Sequence, residues 1–443
     1  MTTTTGPERP GAGFGPERPY DLVGVGIGPF NLGLAALAEP VDGVRALFLE
    51  ARPTFSWHPG LLLDGATLQV PFLADLVSLV DPTSRWSFLN YLREHDRLFP
   101  FYFSERFHVP RREYDHYCRW VADALASCRF GARVEEVSWD GDAFAVSYGD
   151  GQRIRARNVV LGVGTEPVVP PPLAGLVGKE VFHAGQYLHH RPALDGAEDI
   201  TVVGSGQSGA EVFLDLLRQQ PETGARLRWI TQSPAFAPME YSKLGLEHFT
   251  PDYTRYFRGL SEATRDELVP EQWQLYKAIS ADTLAEIYDV LYERGVGGRD
   301  VEVELVPNVT VERAERSGER FALACRQIQQ DTEFTLVTDR VVLATGYTAQ
   351  RPALLDPLAD LIGWDDRGRY RVDADYRVAL APSVTGSLFV QNAELHTHGV
   401  GAPDLGLGAW RSATILNALT GRTVYRLPQT TAFTTFGLPG KRP

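Results

Sequence analysis

Short apolar runs, glycine-rich turns and amphipathic stretches alternate along the chain in a regular order. Residues 21–25 predict a buried strand, a turn and a helix over about residues 30–38 follow, and residues 45–50 predict the next strand. A strand, a crossing helix and a second strand in this order form a βαβ unit of a parallel sheet. A second such unit begins at Asp199, so the pattern predicts an α/β fold with two parallel sheets.

Residues 75–128 and 260–294 have a mainly helical pattern, and a last helix is predicted over about residues 409–418. In the first stretch, residues 81–84 form a helix start signal, and the apolar positions that follow recur at helical spacing. In the second stretch we predict a set of core residues: Trp273, Leu275, Tyr276, Ile279, Leu284, Ile287 and Leu291.

Residues 131–165 alternate in the manner of strands. Residues 149–151 predict a hairpin turn, and its second strand is predicted to run from residue 153 to Leu161. Residues 158–164 and 340–347 each predict a buried strand that ends in a glycine turn.

Charge and cysteine content narrow the classes of partner. The chain of 443 residues has 43 Lys and Arg against 56 Asp and Glu, a net charge of −13. Such a chain repels nucleic-acid phosphates and anionic lipids, so we expect neither as a partner. There is no apolar run long enough to span a membrane and no secretory signal. The three cysteines suit neither a disulfide framework nor a zinc site, and a cytoplasmic location is expected.

The first glycine-rich turn follows a predicted strand directly. It contains Gly26 and Gly28, and Asn31 replaces the third glycine of a dinucleotide-binding fingerprint. Glycines let the backbone approach a pyrophosphate at the helix N-terminus, where free N–H groups favour an anion. Glu50 ends the following strand, at the distance expected of a residue that binds the ribose hydroxyls.

The second turn is a complete G-x-G-x-x-G between a strand and a helix. It consists of Gly204, Ser205, Gly206, Gln207, Ser208 and Gly209. No acidic residue ends the following strand at residues 228–231, which favours NADP over NAD.

Two such motifs in one chain indicate FAD and NADH or NADPH, because a flavin can take hydride at one site and react at another; with the missing acidic residue, NADPH is the expected cofactor. The predicted fold is therefore α/β with two Rossmann-like dinucleotide-binding domains and a helical substrate-binding region. We expect an FAD-binding domain over residues 20–165 and 345–443, after a disordered tail at residues 1–19. The NADPH-binding domain is expected over residues 196–344, with the helical segment at about residues 240–295.

Two kinds of redox chemistry are disfavoured. A disulfide reductase needs a redox-active cysteine pair, and the chain has no C-x-x-C. The close histidine pairs are His189 with His190 and His396 with His398, and only Glu394 is near either pair. We expect these histidines to be exposed or bonded to backbone, and we predict no metal site.

Seven stretches together resemble the lysine, ornithine and diamine N-monooxygenases of hydroxamate siderophore biosynthesis. They span most of residues 20–420 and read GVGIGPFNLGLAAL, FSWHPGLLLDGATLQVPFLADLVSLVDPTS, RREYDHYCRW, VVGSGQSGAEVF, HFTPDY, ATGY and HTHGVGAPDLGLGAWRSATILN. The resemblance implies that NADPH reduces FAD, that reduced flavin and O2 form a C4a-hydroperoxide, and that a neutral primary amine takes its distal oxygen.

The resemblance also assigns roles to particular residues. The FAD phosphate and ribose positions are matched by Gly26, Gly28, Pro29, Asn31 and Glu50, and the flavin-facing positions by Trp57, His58, Gln69 and Arg111. Gln69 also lines the amine site in relatives, and we expect Gln69 and His58 to be the catalytic residues. The NADPH loop is matched by Gly204, Ser205, Gly206, Gln207 and Ser208, and the return to the FAD domain by Thr345, Gly346 and Tyr347.

Three departures concern the substrate. The family's amino-acid hydroxylases pair the substrate carboxylate with a lysine five residues after Gln69, where this chain has Ala74. Leu246 stands for an asparagine of the ornithine enzymes, and Gly406, after Leu405, stands for a serine. A carboxylate without a cation would be buried unpaired, so we predict a diamine, cadaverine or putrescine.

The sequence leaves room for functions besides diamine hydroxylation. Lys243 could hold a carboxylate, in which case the substrate is L-lysine or L-ornithine. The chain could also be a flavin monooxygenase of another kind or a non-catalytic nucleotide-binding protein. Candidate partners for the far ammonium of a diamine are Glu240, Glu247 and Asp404. Relatives are commonly tetrameric, so a homo-oligomer is expected.

The cofactor preference also rests on a departure from the family. Gln232 stands where the family usually has an arginine for the adenine and 2′-phosphate. Arg226, Arg228 and Lys243 are candidate substitutes for that arginine.

Overall fold

A computed structural model describes residues 18–440. The tail expected at residues 1–19 therefore lies outside the described residues, except for residues 18 and 19. The strands are β1 Leu22–Val25, β2 Ala46–Leu49, β3 Cys128–Arg129, β4 Val134–Trp139, β5 Phe144–Tyr148, β6 Gln152–Ala156, β7 Asn158–Leu161, β8 Thr165–Pro167, β9 Val181–His183, β10 Asp199–Val203, β11 Arg226–Ile230, β12 Val303–Val306, β13 Val309–Ser317, β14 Arg320–Gln327, β15 Thr332–Thr338, β16 Arg340–Leu343, β17 Tyr347–Ala349 and β18 Ser387–Val390. The α-helices are α1 Pro29–Ala38, α2 Phe88–Glu94, α3 Leu98–Ser104, α4 Arg111–Ala124, α5 Tyr187–His190, α6 Gln207–Thr223, α7 Pro251–Arg258, α8 Glu262–Glu271, α9 Trp273–Tyr276, α10 Ala281–Gly295, α11 Leu395–His398 and α12 Gly408–Thr420.

The first parallel sheet has the strand order β18-β7-β1-β2-β3. Its strands are short apolar runs because both faces are covered. One face packs against α1, α4 and α12, and the antiparallel meander β4-β5-β6 packs on the other. The sheet thus joins strands from before residue 165 to a strand from after residue 345.

The second parallel sheet has the order β12-β11-β10-β16-β9. Helices α6 and α10 cover one face, and the meander β13-β14-β15 covers the other. Its edge strand β9 precedes residue 196, where we expected this unit to begin. The α/β fold with two Rossmann-like units is confirmed.

A two-stranded antiparallel ribbon joins the two units. It pairs β8 with β17, at the two places where the chain passes between the sheets. The carbonyl of Gly346 accepts a hydrogen bond from Val168 N at 2.9 Å and extends this pairing. Both passages of the chain therefore lie side by side.

Three sequence predictions of local structure need correction. The hairpin turn at residues 149–151 is present, but its second strand ends at Ala156 and the chain then enters the first sheet as β7. No helix begins at residues 81–84, because Asp81 caps a turn there through Thr83 N at 3.1 Å. Helix α2 begins later, at Phe88. Its N-cap residue is Ser87, whose side chain accepts a hydrogen bond from Asn90 N.

The third correction concerns the core residues predicted in the second helical stretch. Ile279 and Ile287 are buried, whereas the other five are only partly buried. Trp273, Leu275 and Tyr276 line a cavity, and Leu275 and Tyr276 also pack against the small core cluster around Tyr253 and Phe257. Helical periodicity identifies an apolar face but does not say whether protein or a ligand covers it.

No helix among residues 18–440 has both the length and the apolar character that crossing a membrane requires.

We expect Gly26→Ala to destabilise the fold more than Gly43→Ala. Both glycines have positive φ, +85° and +83°, so both substitutions carry a strain of about 1–2 kcal/mol. Only at Gly26 would the new Cβ also collide, at 2.5 Å from the carbonyl oxygen of Gly162. Urea unfolding followed by circular dichroism checks this, and equal midpoints for the two variants would show that the collision relaxes freely.

Candidate functional site

A cavity of about 2410 Å³ lies between the two parallel-sheet units and is lined by residues of both. Most predicted site residues belong to its lining: Trp57, His58, Gln69, Ala74, Arg111, Gly204, Ser205, Gly206, Gln207, Ser208, Leu246, Thr345, Gly346, Tyr347 and Gly406. The others lie outside that lining: Gly26, Gly28, Pro29, Asn31, Glu50 and Leu405. The structure therefore brings the second glycine loop, the predicted flavin-facing residues and four of the five predicted substrate residues to one space.

The first glycine loop leaves room at the N-terminus of α1. Gly28 is the N-cap residue and Pro29 is the first helical residue, and a Cβ built on Gly28 would meet no atom within 4 Å. The N–H groups at a helix N-terminus favour an anion such as a pyrophosphate. Open space beside these N–H groups fits a dinucleotide phosphate.

Glu50 holds the same loop from the end of β2. Its carboxylate accepts hydrogen bonds from Ile27 N at 2.8 Å and from Arg52 N at 3.0 Å. Burial would raise the pKa of Glu50, but these N–H donors and the Arg52 guanidinium lower it below its usual value. Glu50 is thus an anion fixed at the strand end where a ribose binds in this type of fold.

Asn31 does not face the open space beside the loop. Its side chain is fully buried and donates to the carbonyls of Val25 at 3.2 Å and Gly26 at 2.8 Å, and it accepts from Gln391 Nε2 at 2.7 Å. These hydrogen bonds give the Asn31 side chain a structural role in the loop. Asn31 fixes the turn and ties it to the segment that follows β18.

Trp57, His58 and Tyr347 form an aromatic group at the wall of the cavity. The rings of Trp57 and His58 lie edge to face at 4.8 Å, and Tyr347 lies 6.0 Å from His58. His58 is exposed to the cavity, and desolvation by the surrounding protein, and then the charges of Arg111 and Arg52, lower its pKa to about 4. His58 is therefore neutral at physiological pH. The buried hydroxyl of Tyr347 has no hydrogen-bond partner among the described residues.

Arg111 joins the two units through a buried ion pair. It is the first residue of α4, and its guanidinium donates to both carboxylate oxygens of Glu211, on α6, at 2.8 Å each. It also donates to Leu61 O at 3.1 Å, and both charged side chains are less than a tenth exposed. The predicted flavin-facing residue therefore also connects the first unit to the helix that follows the second glycine loop.

Glu211 was missed by the sequence analysis. It lies among apolar residues of α6, and its carboxylate also accepts from Gln207 Nε2 at 2.9 Å. A charged residue within a buried helical stretch implies a buried partner, because an unpaired charge there is strongly unfavourable. That signal indicates a partner for Glu211 but does not identify Arg111.

The second glycine loop is held by backbone contacts. Gly204 has φ +113°, and a Cβ there would lie 2.3 Å from the carbonyl oxygen of Ala344. Trp229 Nε1 donates to Gly204 O at 2.8 Å. Gly206 is the N-cap residue of α6, so free N–H groups again face the cavity.

The side chains of this loop bond to neighbouring protein groups. Ser205 Oγ accepts from Thr231 Oγ1 at 2.9 Å, and Gln207 accepts from Ser280 N at 2.7 Å and donates to Thr283 Oγ1 at 3.1 Å. Gln207 therefore fastens the loop to the start of α10. The backbone N–H groups of the loop are therefore the groups left to bind a phosphate.

The structure does not support Arg226 or Arg228 as a substitute for the missing adenine-site arginine. Arg228 is buried and pairs with Asp199 at 2.9 Å and with Glu304 at 3.0 Å, and Arg226 pairs with Glu302 at 3.1 Å. Neither lines the cavity, because both precede the carboxyl end of β11, where ligands of such sheets bind. Gln232 and Lys243 do line the cavity.

Part of the cavity wall is small and apolar. Ala74 is buried, and a Cβ on Gly406 would lie 3.9 Å from Ala74 Cβ, so the two positions adjoin. Leu246 is 38 % exposed in the same lining, and Gln69 donates to Thr67 O at 3.2 Å. Leu405 packs against the core of the first unit instead and does not reach this wall.

Two of the acidic residues proposed for a far ammonium are engaged elsewhere. The Glu247 carboxylate accepts from the backbone N–H groups of Phe433 and Thr434, both at 2.8 Å. Glu240 accepts from Ser242 N at 2.5 Å and does not line the cavity.

The histidine pairs form no metal centre in the described part of the chain: within residues 18–440, no group of three or more His, Cys, Asp or Glu is placed to hold an ion. His396 Nε2 bonds to Tyr370 O at 2.8 Å, and His190 Nε2 to Gln186 at 3.1 Å. His398 is buried, stacks on Tyr376 at 4.4 Å and bonds to Thr397 Oγ1 at 2.8 Å.

Comparisons with known proteins agree with this geometry. The rhizobactin siderophore biosynthesis protein RhbE of Rhizobium meliloti is 47% identical over 439 residues, 96% of each chain. The putrescine N-hydroxylase of Shewanella oneidensis is 42% identical over 424 residues, 94% of this chain and 84% of that protein. The FAD-bound crystal structure of DfoA, the cadaverine monooxygenase of desferrioxamine biosynthesis in Erwinia amylovora, superimposes with a TM-score of 0.92 at 40% identity, covering 96% of this chain and 100% of DfoA.

Two glycine loops at the carboxyl ends of two parallel sheets, the second of them facing the cavity between the units, define an oxidoreductase that binds two dinucleotides. The model of the L-lysine 6-monooxygenase/L-ornithine 5-monooxygenase family matches residues 18–349, and the chain belongs to this family. Membership makes it a monooxygenase.

We expect Glu211→Gln to destabilise the protein by about 3–5 kcal/mol, because it leaves the buried Arg111 guanidinium without a counter-charge. The matched control is Glu286→Gln, which removes an exposed ion pair between α10 and Arg218 of α6 and should change stability by about 0–1 kcal/mol. Urea unfolding measures both. Similar losses for the two variants would contradict a structural role for the buried pair.

The stability of the protein should fall as the pH is lowered below 6.5, in part because of His398. Burial, followed by nearby positive charges, holds the pKa of His398 well below its usual 6.5. The unfolded chain therefore binds a proton that the folded chain does not, and the stabilising contribution is lost as the pH falls. His398→Phe, which keeps a ring against Tyr376, should lose less stability between pH 7.5 and 5 in urea titrations. An unchanged pH dependence would contradict this.

Proposed function

We propose that this protein N-hydroxylates one primary amine of a diamine, cadaverine or putrescine, with FAD, NADPH and O2, to supply a siderophore pathway. The observation that carries the proposal is Ala74, a buried, uncharged residue where an amino-acid substrate would need a cation for its carboxylate. The named activities of DfoA and of the putrescine N-hydroxylase support the same substrate class.

The residues present fit FAD in the first unit. Gly28 and the N-terminus of α1 would hold the pyrophosphate, and Glu50 the ribose. Trp57, His58 and Arg111 would border the flavin in the cavity. When bound, FAD takes two electrons from NADPH and activates O2, so that one oxygen atom becomes the N–OH group and the other leaves as water.

The second loop would hold NADPH against the same cavity. The backbone of Gly204, Ser205 and Gly206 would bind the phosphates at the N-terminus of α6. The Arg111–Glu211 pair sets α6 against α4 and would thereby hold the two cofactor sites in a fixed relation to each other.

The residues around the amine act by excluding water and by avoiding stray charge. His58 stays neutral above its pKa of about 4, so it places no cation beside the reacting groups. Aromatic and aliphatic side chains cover much of the wall around Gln69 and Ala74, among them Leu73, Leu79, Phe107 and Trp410. A dry, preorganised cavity limits the side reactions of an activated oxygen species.

A second candidate function is N-hydroxylation of L-lysine or L-ornithine. The observation in its favour is Lys243, a cationic residue in the cavity lining that could pair with a carboxylate. The two candidates differ in the charge that the far end of the substrate presents to the protein.

We expect the FAD-loaded protein to form hydroxylamine from cadaverine or putrescine at least 10-fold more efficiently, in kcat/KM, than from lysine or ornithine, the ratio expected for a missing charge partner. Hydroxylamine is measured directly, because NADPH oxidation alone would also count uncoupled turnover. Faster reaction with lysine or ornithine would contradict the diamine proposal and leave the N-hydroxylase chemistry intact.

Ala74→Lys should reverse part of this preference, because its ammonium would repel the far ammonium of a diamine and attract a carboxylate. The matched control is Ala74→Met, which adds a side chain of similar length without charge. An equal loss of cadaverine turnover in both variants would show that Ala74 contributes space and not charge selection.

A further inference from the structure

We propose that Asp404 binds the far ammonium group of the diamine and so selects a dicationic substrate; this inference rests on the proposed function. Asp404 lines the cavity, on the short segment that leads into α12.

The position of Asp404 next to Ala74 carries the inference. A Cβ built on Gly406 would lie 2.7 Å from Asp404 Oδ1 and 3.9 Å from Ala74 Cβ. The carboxylate and the methyl group therefore border one small space, which Gly406 leaves open. In the amino-acid hydroxylases of the family, a lysine at position 74 binds the carboxylate at the non-reacting end of the substrate. The space beside Ala74 is therefore where we expect the non-reacting end of a diamine.

The other acidic candidates are less suited to this role. Both oxygens of Glu247 accept backbone N–H groups of the C-terminal segment, and Glu240 lies outside the cavity lining. Asp282 lines the cavity but is exposed in the first turn of α10, where an acidic residue is favoured by the helix dipole alone. Asp404 remains as the half-buried carboxylate beside Ala74.

The charge of Asp404 is available to a ligand. Oδ1 accepts from Gly406 N at 2.7 Å, and burial raises the pKa of Asp404 to about 6, so the group is a carboxylate at pH 8. The nearby Arg411 pairs with Glu394 at 3.0 Å, and both side chains are fully buried. Arg411 also lowers the pKa of Asp404, which favours its carboxylate form, but the ion pair of Arg411 is made with Glu394.

The neighbouring phenol is consistent with a negative centre here. Burial, followed by the charges of Asp282 and Asp404, raises the pKa of Tyr241 to about 12. Tyr241 also lines the cavity and stays a neutral hydroxyl. An ammonium group beside a carboxylate and a phenol forms charge-assisted hydrogen bonds, which are stronger than neutral ones.

The test is Asp404→Asn, assayed with cadaverine and with pentylamine, which has the same chain length but no second ammonium. Asparagine keeps the acceptor for Gly406 N, so the local turn is preserved. We expect KM for cadaverine to rise 10- to 100-fold, the range for loss of a hydrogen bond to a charged group, while KM for pentylamine stays the same. Glu240→Gln is the control and should change neither value.

A binding measurement separates this inference from the proposed function. Isothermal titration calorimetry of cadaverine into the oxidised FAD-loaded enzyme should show binding that Asp404→Asn weakens 10- to 100-fold, whereas binding of pentylamine should not change. Thermal unfolding and the FAD absorbance of the variant verify that it is folded and loaded.

The outcomes distinguish failure of the role of Asp404 from failure of the proposed function. If the wild type hydroxylates cadaverine and Asp404→Asn leaves both KM and the calorimetric affinity unchanged, the role of Asp404 is wrong and the proposed function stands. If Asp282→Asn raises KM for cadaverine and Asp404→Asn does not, the role of Asp404 is likewise wrong. If the wild type forms no hydroxylamine from any diamine, the proposed function fails, and the absence of cadaverine binding would overturn the role of Asp404 as well.

Discussion

Close backbone contacts at the first glycine of each loop set the position of that loop against the strand by which the chain leaves the unit. At Gly26 the neighbour is the carbonyl of Gly162, and at Gly204 it is the carbonyl of Ala344. Both neighbours lead into the ribbon of β8 and β17. Neither contact has room for a side chain, so the loops, the exits of the chain and the connection between the units occupy fixed relative positions. The cavity takes its shape from this arrangement.

The distribution of charge along the cavity follows from pairing. Arg111 is balanced by Glu211 across the two units, and Arg411 is balanced by Glu394 within the first. His58 stays neutral because desolvation and two guanidinium groups disfavour its protonation. Beside Ala74, the charge that remains is the carboxylate of Asp404. Such a surface favours a substrate that carries positive charge at the end away from the reaction.

The sequence predicted the features that depend on neighbouring residues. Both βαβ units and both glycine loops were predictable, because apolar runs and glycines at fixed spacing produce them locally. The Arg111–Glu211 pair was not, since its residues are 100 positions apart and no local pattern relates them. Nor was the engagement of Glu247, whose partners lie almost 190 positions later, in the C-terminal segment. The cavity-lining role of Trp273 escaped because an apolar residue has the same signature whether it faces protein or ligand.

The strand order of the first sheet also has a consequence for biosynthesis. Its edge strand β18 pairs with β7 but is translated more than 200 residues later, after the whole of the second sheet. Since domains tend to fold as units while the ribosome adds residues in order, the contiguous second unit can complete its sheet first. The nascent first unit must meanwhile keep one side of β7 unpaired. An exposed strand edge invites pairing with other chains, so the nascent first unit is open to misassembly until residue 390 has been translated.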